Sequence, residues 1–357
     1  MKVIVAGALA SKPRNGGEAW VRMSYVLGLR RLGHQVAFVE QLDEPTPDAV
    51  DWFASVCDRF AIDGTIVDNL GRLTFGPEAE AADALINLSG NLRTKRVLDL
   101  AVRRAYVDLD PCFTQVWHAS GAVSLAGHHV HFTVGENVGT QHSDVPADGV
   151  RWRRTRPPVV LDEWPASDAP FDRFTTVATW RPGHGSVTVG EQTLGLRVHA
   201  FRQLLDLPRA TSLPFEAALA IHADETDDLA LLEEGGWRLV APEDVAGDPD
   251  AYRAYVAGSG AEFSVAQEAY AATRTGWIGD RTARYLASGR PALVTDTGIR
   301  SVPTGQGLVT FTTPADARSA ARDLVENYDA HRAAARALAV EHFDSDRVLG
   351  RLLEDLL

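Results

Sequence analysis

The sequence predicts an α/β protein built from two similar halves, each a parallel sheet covered by helices. Three observations carry this expectation. Apolar strand-like segments alternate with amphipathic helical segments through the first 135 residues, and again from about residue 174 to 311. Between the two series, RWRRTRPPVVLDEWPA at 151–166 packs three prolines, four arginines and two tryptophans into a stretch with no consistent period, which reads as a linker. The length of 357 residues also exceeds one ordinary core and suits two.

The elements follow in order. KVIVA reads as the first buried strand. Its context, MKVIVAGALASKP, imitates an export signal, but the apolar run is short and leads straight into a glycine turn and an amphipathic helix. EAWVRMSYVLGLRRLG has helical spacing, QVAFVE reads as a strand and PDAVDWFASVCDRF as a helix; GTIVD, DALINLS, RRAYVDLD and HVHFTVG read as strands. In the second half FTTVAT, FEAALAIH, WRLV, AEFSV, PALVT and GLVTF read as strands. Helices DETDDLALLEEGG, PDAYRAYVAG and DRTARYLASG lie between them, and the tail from Pro314 reads as helical throughout. Two such halves place the carboxyl ends of two sheets across a cleft, where open α/β sheets bind ligands. The expected division is 1–155, 156–340 and a terminal segment 341–357 that packs back on the junction.

With 45% hydrophobic and 23% charged residues, the composition is that of a soluble globular protein, and no apolar run is long enough to span a membrane. Cys57 and Cys112 are too few for a disulfide framework, which points to the cytoplasm. A net charge of −13 argues against general nucleic-acid binding, which needs basic patches, yet permits a small anionic ligand held locally. Only Lys2, Lys12 and Lys95 are lysines, a bias typical of a high-GC bacterial genome.

Several stretches could carry chemistry. GWIGDRTARYLASGRPALVTDTG, at 276–298, reads as loop, helix, turn, buried strand and polar loop. At the helix entrance, Asp280 or Thr282 could cap free amides. Alternatively those amides, with Arg281 and the Thr282 hydroxyl, could hold a pyrophosphate. Asp296, Thr297 and Gly298 follow the strand, where a carboxylate could meet sugar hydroxyls or organise its own turn. Asp108 and Asp110, in AYVDLDP, end a first-half strand; either could act as a general base or cap the turn before Pro111. The D-x-D spacing also imitates a metal-holding triplet, a reading set aside because the two-halved pattern favours metal-independent chemistry. Glu136 and Asn137, in GENVGT, could bind an acceptor or close their loop. Arg181, in TWRPGHGSV, could bind phosphate or form a hinge ion pair. His128, His129 and His131 lack an obvious fourth ligand for zinc.

These residues carry a resemblance. GGEAWVRMSYVLGLRRLGHQVAFVE is similar to the Gly-Gly turn, first helix and Gly-His-x-Val strand of GT-B-fold glycosyltransferases, and 276–298 resembles their donor-binding segment. RRAYVDLDPCFTQVW, FTVGENVG, WRRTRPPVVLDEW and FTTVATW extend the likeness to a bacterial group of nucleotide-sugar-dependent glycosyltransferases, from Met1 to about residue 350. The resemblance implies two Rossmann-like domains facing a cleft, the first for the acceptor and the second for the donor. It implies a nucleotide diphosphate sugar as co-substrate, with no separate cofactor and no metal. It places Gly16, Gly17, Asp280, Arg281, Thr282, Asp296, Thr297 and Gly298 toward the donor; Arg181 is read beside them as a second phosphate contact, and Glu136 and Asn137, after a first-half strand, as acceptor-side residues. Asp110, Asp108 and Glu18 are then the candidate catalytic carboxylates.

Two departures leave the stereochemistry open. Many retaining members carry paired glutamates where this chain has Gly276 and Arg284, and the first loop lacks the histidine of many inverting members. A hydrolysing sugar-nucleotide epimerase and a non-catalytic nucleotide-sugar binder are the alternatives. A dinucleotide dehydrogenase is disfavoured, since GALASKPRNGG lacks the G-x-G-x-x-G spacing.

Overall fold

The computed structural model describes residues 1–181, 183 and 185–357. The first sheet holds β1 (Lys2–Ala6), β2 (Gln35–Gln41), β3 (Asp63–Val67), β4 (Leu73–Phe75), β5 (Ala82–Leu88), β6 (Ala101–Asp108), β7 (Val130–Thr133) and β8 (Trp152–Arg154). Next come β9 (Phe174–Thr179), a hairpin of β10 (Val187–Val189) and β11 (Gln192–Leu194), then β12 (Phe215–Ala220) and β13 (Arg238–Val240). The last strands are β14 (Ala261–Ser264), β15 (Ala292–Thr295) and β16 (Leu308–Phe311).

The first sheet runs β4-β3-β2-β1-β5-β6-β7-β8 and the second β13-β12-β9-β14-β15-β16. All neighbours within the two sheets are parallel except β4, which returns antiparallel to β3. In each half the opening strand sits inside the sheet and the chain winds first to one side, then to the other. That reversal creates a crevice at the carboxyl edge, between β1 and β5 in one half and between β9 and β14 in the other. Strands buried on both faces, such as β5 with only Asp83 exposed, explain the continuous apolar runs of the sequence.

Every segment read as a strand forms one. β4, the β10–β11 hairpin and β8 carry no clear strand pattern in the sequence: all are short, and β4 and β8 lie at sheet edges where little apolar area marks them. The linker is therefore partly regular, since β8 extends the first sheet before the chain crosses. The tail is three helices, not one: Pro314–Glu326, Tyr328–His342 and Ser345–Leu356. Asn327 separates the first two, and Asp344 caps the last through its side chain.

The chain crosses between the halves twice, side by side. The Val159 amide donates to the Phe343 carbonyl at 2.7 Å, and the Ser345 amide to the Val159 carbonyl at 2.9 Å. The last helix then lies on the helix Gly16–Arg31 of the first half. A Cβ at Gly28 would stand 2.5 Å from Leu349 Cδ1 and 2.8 Å from Ser345 Cβ, so the missing side chain lets the helices pack this closely. Arg103 Nε holds the end of the tail at the Leu356 carbonyl, 2.8 Å away. Beneath the crossing, Trp20 packs edge-on to Trp164 at 5.0 Å, and Trp164 to Tyr252 at 6.1 Å, so one apolar core runs through both halves. Among the described residues no helix is long and apolar enough to cross a membrane.

Candidate functional site

The second-half wall is built where β14 and β15 end. Ser264, Ala266, Val294 and Thr295 from these ends meet Trp277, Ile278, Gly279 and Thr282 around a narrow pocket. The helix Asp280–Ala287 opens onto it with Gly279 as N-cap and no side chain satisfying its first amides. Thr282 lines this pocket, and its hydroxyl makes no hydrogen bond among the described residues. Free amides at a helix start on the carboxyl edge of a parallel sheet favour negative charge nearby.

Arg281 does not face this pocket freely. Its Nε binds Glu262 Oε1 at 2.7 Å, Nη2 binds Ser264 Oγ at 2.8 Å, and Nη1 donates to the Val177 carbonyl. Burial opposes its charge, and the fully buried Glu262 more than compensates, holding the guanidinium above its ordinary pKa. Asp280 is likewise engaged, by Arg284 one turn on. Arg284 is buried between the rings of Trp164 and Tyr252, each 5.9 Å away.

Three more expected donor residues brace the protein. Asp296 accepts from the Gly298 amide at 2.8 Å, making its own turn while staying exposed. Thr297 is buried and donates to the Trp277 carbonyl at 2.7 Å. Gly298 adopts φ +81°, which glycine favours. Arg181 is exposed and paired with Glu225, a contact within the second half, so the expected hinge pair is not formed. Pro182 and His184 of the same stretch lie outside the described residues.

Arg197, which no sequence motif marks, lies within electrostatic reach of Arg281, Tyr270 and Asp110. It opens the helix Arg197–Arg202 after the hairpin, and its guanidinium has no partner among the described residues. Burial, and then the charge of Arg281, lower its pKa to about 10, still protonated at neutral pH. One arginine in GLRVHAF carries no motif. The hairpin and the fold of the second sheet bring it to the cleft.

On the first-half wall, β6 ends at Asp108. Thr114, Gln115, Thr133 and the Asp110 amide all donate to its buried carboxylate, at 2.6–2.9 Å. Asp108 is thus an anchor for the turn and the following helix, not an open base. Asp110 differs: it stands at the domain junction and is exposed to solvent. Burial, and then the neighbouring Asp108 charge, raise its pKa to about 6. Glu18 is half-buried and paired with Arg22 on its own helix, so it stands in the cleft as part of an ion pair.

The opening NGGE motif resolves differently from expectation. The Asn15 side chain caps the first helix by accepting from the Glu18 amide at 3.0 Å. A Cβ on Gly16 would lie 2.0 Å from the Asp248 carbonyl oxygen, and one on Gly17 3.3 Å from the Tyr252 ring. The glycines therefore let the first helix abut the second half, with Trp20 Nε1 donating to the Pro249 carbonyl at 2.7 Å. The preceding turn is closed as well. Its amides at Leu9, Ala10 and Ser11 all donate to Glu40, buried at the end of β2. In a dinucleotide fold such turn amides meet a pyrophosphate and an acid near that strand end meets a ribose; here the acid fills the amide nest.

Glu136 and Asn137 do not line an open acceptor surface. Glu136 accepts from the Arg300 and Ser301 amides at 2.6 and 3.0 Å and from the Ser301 hydroxyl. Asn137 Nδ2 donates to the carbonyls of Arg274 at 2.9 Å and Gly298 at 2.8 Å. Both stitch the two halves together, and Gly276 is required there because a Cβ would meet Glu136 Cγ at 2.5 Å. Among the described residues no group of three or more His, Cys, Asp or Glu is placed to hold a metal. His128, His129 and His131 are engaged with Asn87 and Leu125, with Arg104, and with Leu125.

Two doubly wound domains facing a cleft, with the tail crossing back, make this the GT-B fold of glycosyltransferases. Solved structures that share it over nearly the whole chain include an α-glucosyltransferase (AGT) in complex with UDP, with a TM-score of 0.60, 11% identity and 99% of each chain covered. AviGT4, a glycosyltransferase involved in avilamycin A biosynthesis, matches at TM-score 0.59 and 14% identity, over 99% of this chain and 96% of that one. Anabaena HepE in complex with UDP and glucose matches at 0.56 and 12%, over 100% and 99%. No protein-family model and no curated protein sequence matches the chain.

Proposed function

We propose that the protein is a glycosyltransferase that moves a sugar from a nucleoside diphosphate donor to a hydroxyl- or amine-bearing acceptor. The observation that carries this is the uncapped start of the helix Asp280–Ala287, with the unpartnered Thr282 hydroxyl, at the crevice of the second sheet. The amides, Thr282 and the unpaired Arg197 receive the diphosphate. Arg281 acts from behind, holding β14 and β9 together beneath the site. Exposed Asp296 faces the sugar with its free oxygen, and Asp280 lies at the same helix start. The structural neighbours in complex with UDP support the same class of donor.

In the reaction the acceptor oxygen or nitrogen attacks the anomeric carbon, whose bond to the diphosphate oxygen breaks. The diphosphate leaves with the electron pair. Asp110 takes the acceptor's proton, its pKa of about 6 leaving it ionised yet basic at neutral pH. Arg197 and the helix amides stabilise the charge that develops on the leaving group. The carboxylates Asp110 and Glu18 and the net charge of −13 favour an acceptor that is not a nucleic acid, although some neighbouring structures hold DNA.

The test is thermal stabilisation of the wild type by UDP, GDP, dTDP, ADP and CDP, alongside Thr282→Val and Arg197→Gln. One diphosphate should stabilise the wild type, by about 2.7 kcal/mol at a hundredfold excess over Kd. Both substitutions should weaken that response with little effect on the unliganded melting temperature. Failure of all five to stabilise the protein, or a response untouched by both substitutions, would sink the reading.

A further inference from the structure

The domain junction points to a residue that the donor and acceptor walls do not account for. Tyr270 sits on the short helix Glu268–Ala272 of the second domain. Its ring is buried between Phe113 of the first domain, at 5.8 Å, and Trp277, at 4.6 Å. The hydroxyl donates across the junction to Asp110 Oδ1 at 3.0 Å. The segment following this helix is tied to the first domain too. The Thr273 carbonyl accepts from the Asp144 amide at 3.1 Å and the Ser143 hydroxyl at 2.8 Å, and the Thr275 carbonyl from the Asn137 amide at 3.0 Å. Tyr270 and Asp110 therefore meet because the two domains are docked, and separating the domains parts them.

The groups facing Asp110 give this contact its weight. From the first domain come Asp108 and Glu18, both repelling its charge, and Arg22, which is committed to Glu18. From the second come Arg197, whose charge also feels Asp110, and Tyr270, which makes the one side-chain hydrogen bond to Asp110 among the described residues. An aspartate side chain turns about two bonds, and a single donor on one oxygen fixes where the other points.

We propose that Tyr270 is a positioning residue: it holds Asp110 by Oδ1 and leaves Oδ2 to take the acceptor's proton, so that the base is set only when the domains are closed. The proposal rests on Asp110 being the base. A phenol donor favours the ionised carboxylate, so the contact also keeps Asp110 deprotonated against the burial and like charges that push its pKa up.

The experiment is a carboxyl 13C NMR titration of aspartate-labelled protein, with the Asp110 signal assigned by its loss in Asp110→Asn. Tyr270→Phe keeps the ring packing and removes the donor; the midpoint of Asp110 should rise, by about tenfold in proton affinity. Site-specific replacement of Tyr270 by 3-fluorotyrosine, a stronger donor with the same shape, should move the midpoint the other way. It also keeps the test alive if the phenylalanine variant does not fold. Midpoints unchanged in the folded variants would overturn the proposal. Turnover of a nucleotide sugar by Asp110→Asn at the wild-type rate would remove the base on which it rests, an outcome independent of the titration.

Discussion

Arg281→Ala separates a residue that supports the donor site from one that touches the donor. The guanidinium makes three hydrogen bonds, and its main partner, Glu262, is wholly inaccessible to solvent. Glu262 Oε2 already has no donor, so losing Arg281 strips the carboxylate of the partner on its other oxygen as well. Breaking a buried ion pair from one side costs roughly 3–5 kcal/mol, because the remaining charge is left uncompensated. At roughly 2–4 °C per kcal/mol for a unit of this size, the melting temperature should fall on the order of 10 °C. The partner variant Arg281→Met with Glu262→Gln removes both charges and should recover much of that loss, since the cost lies in the orphaned carboxylate. Circular dichroism melts of the two variants, with and without a stabilising diphosphate, decide the matter. If Arg281→Ala melts within a degree of the wild type and has lost its nucleotide response, the arginine is a ligand contact and the structural argument is wrong.

Two further outcomes follow from the junction. The folded-state pKa of Asp110, about 6, lies above that of an unfolded aspartate near 4, so the native protein binds the extra proton between those values. By linkage this group favours folding most below pH ~4, and that contribution is lost as pH rises through about 6. Asp110→Asn should therefore gain melting temperature relative to the wild type between pH 4 and 7; parallel profiles would refute the shift. Gly16→Ala places a methyl 2.0 Å from a backbone carbonyl and should destabilise by about 1–3 kcal/mol, whereas Gly17→Ala, 3.3 Å from a ring edge, should be mild. An unchanged melt for Gly16→Ala, with diphosphate binding lost, would return that glycine to the donor site.

Local pattern was enough for the longer strands of both series, most of the helices and the crossing region, but not for the short β4, β8, β10 and β11. Those features depend on periodicity and on breaks in it, and both are written along the chain. The helix entrance at 279–282 and the carboxyl edges of the two sheets were legible for the same reason. The partner of each polar side chain was not. Asp108 and Asp110 stand two residues apart in one D-x-D, yet the fold surrounds one with four donors and leaves the other open to solvent. Arg281 sits in a recognisable motif and turns inward to Glu262, while Arg197, in no motif, remains free in the cleft. Gly16 and Gly17 look like a phosphate turn, but their neighbour is the Asp248–Tyr252 segment, more than two hundred residues on. Secondary structure follows from spacing along one chain; a side chain's charge, protonation and availability follow from what packs around it, and packing brings those neighbours from distant parts of the sequence.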